Sequence, residues 1–495
     1  MQKNYEVVSL QKYIISIKNK YNKMPVQVKA SIWFTVCSIV QKALSIVTVP
    51  LFTRLMTTEQ YGYYTTYVSW YHLLLVFTSL NLYYGVFNNA MLKYRNDRAG
   101  YISSMQGLVF TTTSLTFVIY LLLREQANVL LGMPTPLVLM LFFELLITPS
   151  LSFWMAEKRF EFKYRSIIIV TLIKTFANPI LGIILVVFSE RKEYARILSI
   201  VFVEGIICSI ITVKQFIRGR TFYSKEYWRY ALLFNLPLIP HYLSGQILNQ
   251  SDRIMISNMV GNSAVAIYGV AYNIGLLMNI FTSSINGAYT PWFYQKVEKK
   301  DYDHIQGIIR TIVVFMACMA IVLMLFGPEV ISLMGTRDYK TGVYCIPPVA
   351  ASSFFMFLYN IYANVEFYYE KKYYVLFSSL CAAFLNVILN FFFIKKYGFI
   401  AAAYTTLISY ILYTIIHFMF AIKICRKQGL PIQIFDSKFV MKLGAVIILL
   451  GIAMNGIYAY SFVRFGIVIM TLVVVLVSRK KIIMKLTETL IEIRK

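Results

Sequence analysis

A chain of 495 residues that is 58% hydrophobic, only 14% charged and of mean hydropathy +0.64 carries too little polar surface to cover its apolar side chains in water, which excludes a soluble globule. Its net charge of +26 sits in short clusters between apolar runs and not on one face, which excludes a nucleic-acid-binding surface.

Residues 1–29 are polar and lack the apolar core and cleavage site of a signal peptide, so they read as a cytoplasmic N-terminal segment. Within them, Leu10 to Ile17 mix apolar and basic positions as an interfacial helix does. From Ala30 the chain breaks into apolar runs of about 20 residues, the length that crosses a hydrocarbon core of about 30 Å. Hydrocarbon offers backbone N–H groups no partner, so each run is expected to be helical. Fourteen spans follow, at 30–50, 63–91, 101–123, 129–155, 165–188, 195–217, 230–258, 264–293, 309–327, 343–369, 373–394, 398–421, 439–456 and 459–478. The chain ends in a basic cytoplasmic tail, 479–495, whose stretch from Ile482 to Ile493 again has interfacial character.

The fold class is therefore an all-α integral membrane protein with 14 transmembrane helices. An even number places both termini on one side. Of the 48 Lys and Arg residues, 35 fall in segments on that side and 11 in the loops opposite, which puts the termini in the cytoplasm. The longest outward loop runs only from about Gly327 to Gly342, leaving no external domain.

Spans 1–6 resemble spans 7–12. Phe176-Ala-Asn178-Pro-Ile-Leu181 aligns with Phe384-Leu-Asn386-Val-Ile-Leu389. Arg54-Leu-Met and Arg253-Ile-Met both precede a tyrosine-rich helix opening, Tyr61-Gly and Tyr268-Gly. Two six-helix bundles are expected, at 30–227 and 228–425, related by an axis along the membrane normal, with helices 13 and 14 outside the repeat at 426–478.

Enzyme signatures are missing: the sequence has no phosphate-binding loop, no G-x-G-x-x-G, no H-E-x-x-H and no G-x-S-x-G. Its six cysteines form no C-x-x-C pair and its four histidines show no ligand spacing, so neither enzyme activity, metal nor cofactor is expected. Ionisable groups at membrane depth are the lead, because each costs several kcal/mol unless it meets water or a partner. Lys42 lies about 18 Å into the first span. Lys174, Glu144 and Glu204 fall mid-span, Glu366 near the inner end of span 10, and Asp252-Arg253 in the outer third of span 7. Lys42 points to a cationic cavity. Lys174 either joins that cavity or pairs with Glu144 or Glu204. Asp252 and Arg253 are adjacent, so they point about 100° apart and do not face each other.

Three stretches carry a family resemblance. Asn235-Leu-Pro-Leu-Ile-Pro-His241 through Asp252-Arg253 to Ser257, followed by Ala266-Ile-Tyr-Gly-Val-Ala-Tyr-Asn273, resembles the seventh and eighth helices of bacterial polysaccharide flippases. Pro50-Leu-Phe-Thr-Arg54 through Tyr61-Gly62 is similar to that family's first loop, and Asn386…Asn390 with Gly398 through Tyr410 to its eleventh and twelfth helices. These exporters of O-antigen, capsule and exopolysaccharide belong to the multidrug/oligosaccharidyl-lipid/polysaccharide superfamily. The resemblance implies two bundles in a V around a central cavity, and a flippase moving undecaprenyl-diphosphate-linked oligosaccharide across the cytoplasmic membrane. It implies that Lys42, Arg54, Lys174 and Arg253 engage phosphate or acidic sugars, and that Asp252, Glu204 or Glu366 couple transport to H+ or Na+. The implied partners are the lipid-linked substrate, membrane lipids, and a polysaccharide polymerase with its chain-length machinery; a monomer is expected. Two other readings stand beside it. A cation exporter of the same superfamily would need an acidic cavity, and a membrane-embedded polymerase would need a large outward loop.

Overall fold

The computed structural model describes residues 24–275, 277–302, 304–470 and 484. The two expected interfacial segments, the part of the fourteenth span beyond Met470 and the basic tail (Met484 apart) lie outside these residues. Among the described residues every regular element is a helix.

In chain order these are α1 (Val26–Leu55), α2 (Thr58–Ser79), α3 (Val86–Lys93), α4 (Arg98–Leu122), α5 (Arg124–Leu131), α6 (Thr135–Phe160), α7 (Tyr164–Phe188), α8 (Lys192–Gly219) and α9 (Lys225–Asn235). After them come α10 (Ile239–Met259), α11 (Asn262–Gly275), α12 (Met278–Glu298), α13 (Ile305–Leu325), α14 (Gly327–Met334), α15 (Ile346–Tyr368), α16 (Lys372–Tyr397), α17 (Phe399–Gln428), α18 (Ser437–Ile457) and α19 (Ser461–Met470).

Among the described residues, eleven helical segments are long and apolar enough to cross a membrane. The chain is a multi-pass membrane protein. Fourteen crossings remain the expectation for three reasons. Span 2 is diluted by tyrosine and threonine, span 7 by Asp252, Arg253 and several asparagine and glutamine residues, and span 14 is described only in part. Two expected spans are also interrupted. The second turns after Ser79, where Leu80 and Asn81 take positive φ. The seventh narrows to a 3₁₀ turn at Leu236–Leu238, where Pro237 supplies no backbone N–H.

The chain forms two compact units. One contains residues up to Thr48, Phe77–Arg124 and Thr135–Leu236; the other contains Val49–Val76, Glu125–Pro134 and everything from Pro237. This differs from a simple boundary at residue 228, because two segments from the first half belong to the second unit. The reason is local bonding. Thr53 Oγ1 donates to the Met334 carbonyl at 2.7 Å, Thr58 Oγ1 to Ser263 Oγ at 3.1 Å, and Asn258 Nδ2 to the Leu130 carbonyl at 3.3 Å.

In the first unit α3, α4, α6 and α9 enclose a core that includes Phe87, Tyr101, Met105 and Phe153. Its helices are joined by polar bonds, since apolar packing alone gives little drive in lipid. Ser103 Oγ donates to the Thr221 carbonyl at 2.7 Å and Trp228 Nε1 to the Ser104 carbonyl at 3.0 Å. On α7 the large side chains Ile169, Ile173, Phe176, Ile180, Ile184 and Val187 are exposed at helical spacing, as a lipid-facing stripe must be. The second unit buries a larger core built on α13, α15 and α17, including Phe354, Phe357, Tyr289 and Met316.

Gly62 sets the approach of α2 to α11. A Cβ there would lie 1.7 Å from the Asn262 carbonyl oxygen, so the backbones must separate to admit one. Gly62→Ala is expected to lower stability by about 1–3 kcal/mol, read as a fall in Tm of the purified full-length protein. An unchanged Tm would show that α2 is free to shift.

Candidate functional site: buried charges in the helices

In the second unit Asp252 is 1% exposed and its carboxylate accepts from three neutral donors. Tyr268 Oη of α11 donates to Oδ2, Thr406 Oγ1 of α17 donates to the same oxygen at 2.6 Å, and Asn390 Nδ2 of α16 donates to Oδ1 at 2.6 Å. A further layer fixes these donors. Asn390 Nδ2 also reaches Asn386 Oδ1 at 3.1 Å, Asn386 Nδ2 donates to Thr406 Oγ1 at 3.2 Å, Ser251 Oγ donates to Asn386 Oδ1 at 3.0 Å, and Thr405 donates to Asn390. Asn386 and Asn390 stand one turn apart on one face of α16, which is what lets both reach the cage.

This cage contains one carboxylate and otherwise only hydroxyls and amides. Each of those groups both donates and accepts. The same side chains can therefore donate to a bare carboxylate or turn oxygen lone pairs toward a bound cation. All-oxygen donor sets suit hard cations.

Arg253 points elsewhere, as adjacency on a helix requires. It is buried, with Nη1 donating to Gln250 Oε1 at 3.1 Å, Nη2 to Asn273 Oδ1 at 3.3 Å, and its guanidinium 4.9 Å from the Tyr272 ring centre. These partners are neutral, so the charge of Arg253 is left for an anion to meet.

Arg54 is held by backbone carbonyls. At the end of α1, Nη1 donates to the Pro50 carbonyl at 2.9 Å and Nη2 to the Leu333 carbonyl at 3.0 Å. Carbonyls at helix C-termini lack intrahelical partners, and a guanidinium satisfies them. The side chain nonetheless stays exposed.

In the first unit Lys174 of α7 pairs with Glu204 of α8 at 2.7 Å. Of the two alternatives for Lys174, the structure contains the ion pair, with Glu204 and not Glu144 as the partner. Glu144 of α6, itself buried, lies close enough to act electrostatically on Lys174. Lys174 borders a groove of about 300 Å3 that is also lined by Gln41, Ser45 and Thr48 of α1. Lys42, half-buried on α1, does not line that groove. Nearby, Asn178 Oδ1 accepts from Arg196 Nη1 of the following helix at 2.7 Å. Its aligned counterpart Asn386 likewise bonds Thr406 of its following helix, so the repeat seen in the sequence recurs as a contact in each unit.

Glu366 of α15 meets His417 of α17, with Oε1 and Nδ1 2.7 Å apart and both side chains wholly buried. Glu366 stands out in the sequence as a carboxylate at membrane depth, whereas its partner does not. A signal for the pairing exists even so: both are titratable groups near the inner ends of two spans that run in the same direction.

The family described as polysaccharide biosynthesis protein matches residues 28–297, and the MatE family matches 237–392. The chain belongs to the polysaccharide biosynthesis protein family. Among curated proteins the similarity is local. Lsg locus putative protein 1 of Haemophilus influenzae is 34% identical over 71 residues, 14% of this chain and 18% of that protein. A membrane protein of Methanocaldococcus jannaschii is 26% identical over 191 residues, 36% of this chain and 42% of that one. The chain thus spans less than half the length of these relatives.

The fold of this family member is that of the superfamily. The lipid II flippase MurJ in an inward closed conformation superposes with a TM-score of 0.62 at 17% identity, covering 88% of this chain and all of that one. An inward-facing multidrug resistance MATE family transporter of the MOP superfamily gives 0.58 at 12% identity, covering 81% and 99%. The Vibrio cholerae MATE transporter VcmN gives 0.53 at 14%, covering 81% and 97%.

Proposed function

We propose that this protein is a flippase that moves undecaprenyl-diphosphate-linked oligosaccharide repeat units from the inner to the outer leaflet of the bacterial cytoplasmic membrane, for surface polysaccharide biosynthesis. The observation that carries the reading is the match to the polysaccharide biosynthesis family over residues 28–297. The shared fold with a lipid II flippase supports it. A diphosphate cannot cross hydrocarbon unaided, so the carrier must offer cations at membrane depth. With Lys174 paired, the candidates are Arg253, which is buried, Lys42, which is half-buried, and Arg54, which is exposed. The Asp252 cage is the best candidate for binding the coupling ion, H+ or Na+. Both termini are cytoplasmic on this reading, and the product is handed to a polymerase and its chain-length machinery. The match of residues 237–392 to the MatE family keeps a cation exporter as the second reading.

Deleting the gene and assaying surface polymer together with lipid-linked oligosaccharide tests the proposal. The expected result is loss of surface polymer with completed lipid-linked units trapped facing the cytoplasm. Units that reach the outer face unpolymerised would instead assign the protein to polymerisation, and an unchanged polysaccharide with altered drug tolerance to cation export.

A further inference from the structure

A second buried titratable pair lies in the second unit, away from the Asp252 cage, and contains Glu366, a coupling candidate of the flippase reading that the sequence leaves without an assigned partner. Glu366 and His417 bond through Oε1 and Nδ1, while Glu366 Oε2 and His417 Nε2 meet no hydrogen-bond partner although both atoms are buried. Two polar atoms in one contact without a partner among the described residues are costly if the pair only packs helices, since a buried unpaired group loses its water and gains nothing. The ring is held in place by tyrosines, with Tyr413 4.6 Å and Tyr359 5.4 Å away between centres.

A groove of about 330 Å3 reaches Glu366 of this pair. It is bounded by Pro237, Leu238, His241, Glu366, Lys372 and Leu376. It exists because the chain cannot continue an α-helix from α9 into α10: Pro237 and Pro240 lack an N–H and Leu236–Leu238 is a 3₁₀ turn. His241, on its wall, has Nδ1 3.1 Å from Ser379 Oγ and lies within electrostatic reach of His417.

We propose that Glu366 and His417 form a proton-binding site that exchanges one proton with water through the groove beside His241. With a proton on Nδ1 the pair is a carboxylate and a neutral imidazole, net charge −1. The Nε2 lone pair then takes a proton from a hydronium ion, which leaves as water, and the pair becomes carboxylate and imidazolium, net zero. Release reverses the step. Histidine is the side chain whose ordinary pKa, about 6.5, makes such exchange accessible near neutral pH.

The titratable groups facing the site are His417 and Tyr413 from α17, Tyr359 from α15 itself, His241 from α10, and Glu370, Lys371 and Lys372 from the α15–α16 turn. Helices α13 and α18 pack apolar side chains against α15, among them Ile312, Met316 and Ile447, and α12 adds Tyr289.

The test is independent of cargo. The chain has four histidines, so the full-length protein labelled with ¹⁵N-histidine and held in detergent micelles gives few ring signals, and His417→Gln assigns one of them. The assigned His417 ring signals are expected to respond to pH through one protonation step, and to respond differently in Glu366→Gln. Should Glu366→Gln not fold, Glu366→Asp is expected to shift the midpoint while keeping the step. Leu376→Trp, which fills the groove, is expected to slow water exchange at His417 Nε2 at least tenfold without moving the midpoint. A His417 ring that does not titrate, or that titrates identically in the Glu366 variants, overturns the site. Unchanged exchange in Leu376→Trp overturns the route. Loss of export alone, with these signals as expected, speaks to the flippase reading and leaves the proton site standing.

Discussion

Asp252→Asn is expected to reduce polysaccharide export by roughly 10- to 100-fold while the protein still accumulates in the membrane. The substitution keeps shape and removes charge. Asp252 accepts from Tyr268, Thr406 and Asn390, and hydrogen bonds to a charged group are worth about 1.5–3 kcal/mol each. An asparagine still accepts through its one carbonyl oxygen, and the neighbouring hydroxyls and amides can reorient to suit it. The fold therefore survives, whereas the affinity of the cage for a cation or proton does not, at tenfold per 1.4 kcal/mol lost. Asp252→Ala separates the two effects. It leaves the donors without an acceptor, at about 1–3 kcal/mol each, so it is expected to lower the amount of folded protein as well.

The ion itself is read by thermal stability. A ligand that binds only the folded state raises stability with its concentration, so wild-type Tm should rise with Na+, or with acidification if the ion is a proton, at constant ionic strength. Asp252→Asn should abolish that dependence. Export by Asp252→Asn at the wild-type rate would remove Asp252 from the coupling mechanism, and an ion-dependent Tm that survives the substitution would place the ion elsewhere.

How much of the fold is legible in the residues depends on the range of the interactions involved. Apolar runs of membrane length make helices because the backbone has no other partner in lipid, and that argument needs only local sequence. It therefore locates the helices but not their interruptions. Leu80 and Asn81, with positive φ, sit inside a run whose composition remains apolar. Pro237 and Pro240 announce a bend, and the 3₁₀ turn is its form.

Partners are set by tertiary contact, on which local sequence is silent. Asp252 stands out as a charge in a span, but its cage draws on Asn390, 138 positions away, and Thr406, 154 positions away. The asparagines at 386 and 390 announce a shared helix face without saying what it faces. Lys174 has two acidic candidates, and only the packing of α7 on α8 selects Glu204. Nothing local announces that the Arg54 guanidinium will meet a carbonyl at the end of α14, 279 positions beyond it.

The Lys174–Glu204 pair carries the other large effect, and its two halves are not equivalent. Lys174→Met leaves Glu204, whose side chain is 10% exposed, without its cation and with Glu144 nearby as a second carboxylate. Breaking a fully buried pair from one side costs about 3–5 kcal/mol. The Lys174 side chain is 34% exposed, so solvent screening reduces the expected loss to about 2 kcal/mol. Glu204→Gln should cost less, because an amide can still accept from the ammonium and Glu144 remains to oppose its charge. The double variant Lys174→Met/Glu204→Leu should recover to within about 1 kcal/mol of the wild type, since an apolar pair of similar volume needs no compensation in lipid. Tm of the purified full-length proteins measures the order. A Glu204→Gln loss equal to that of Lys174→Met would deny Glu144 any part in the arrangement. Export by the double variant then decides what the pair is for. Retained export makes it a clasp between α7 and α8, while lost export at restored stability means that the charges themselves take part in transport.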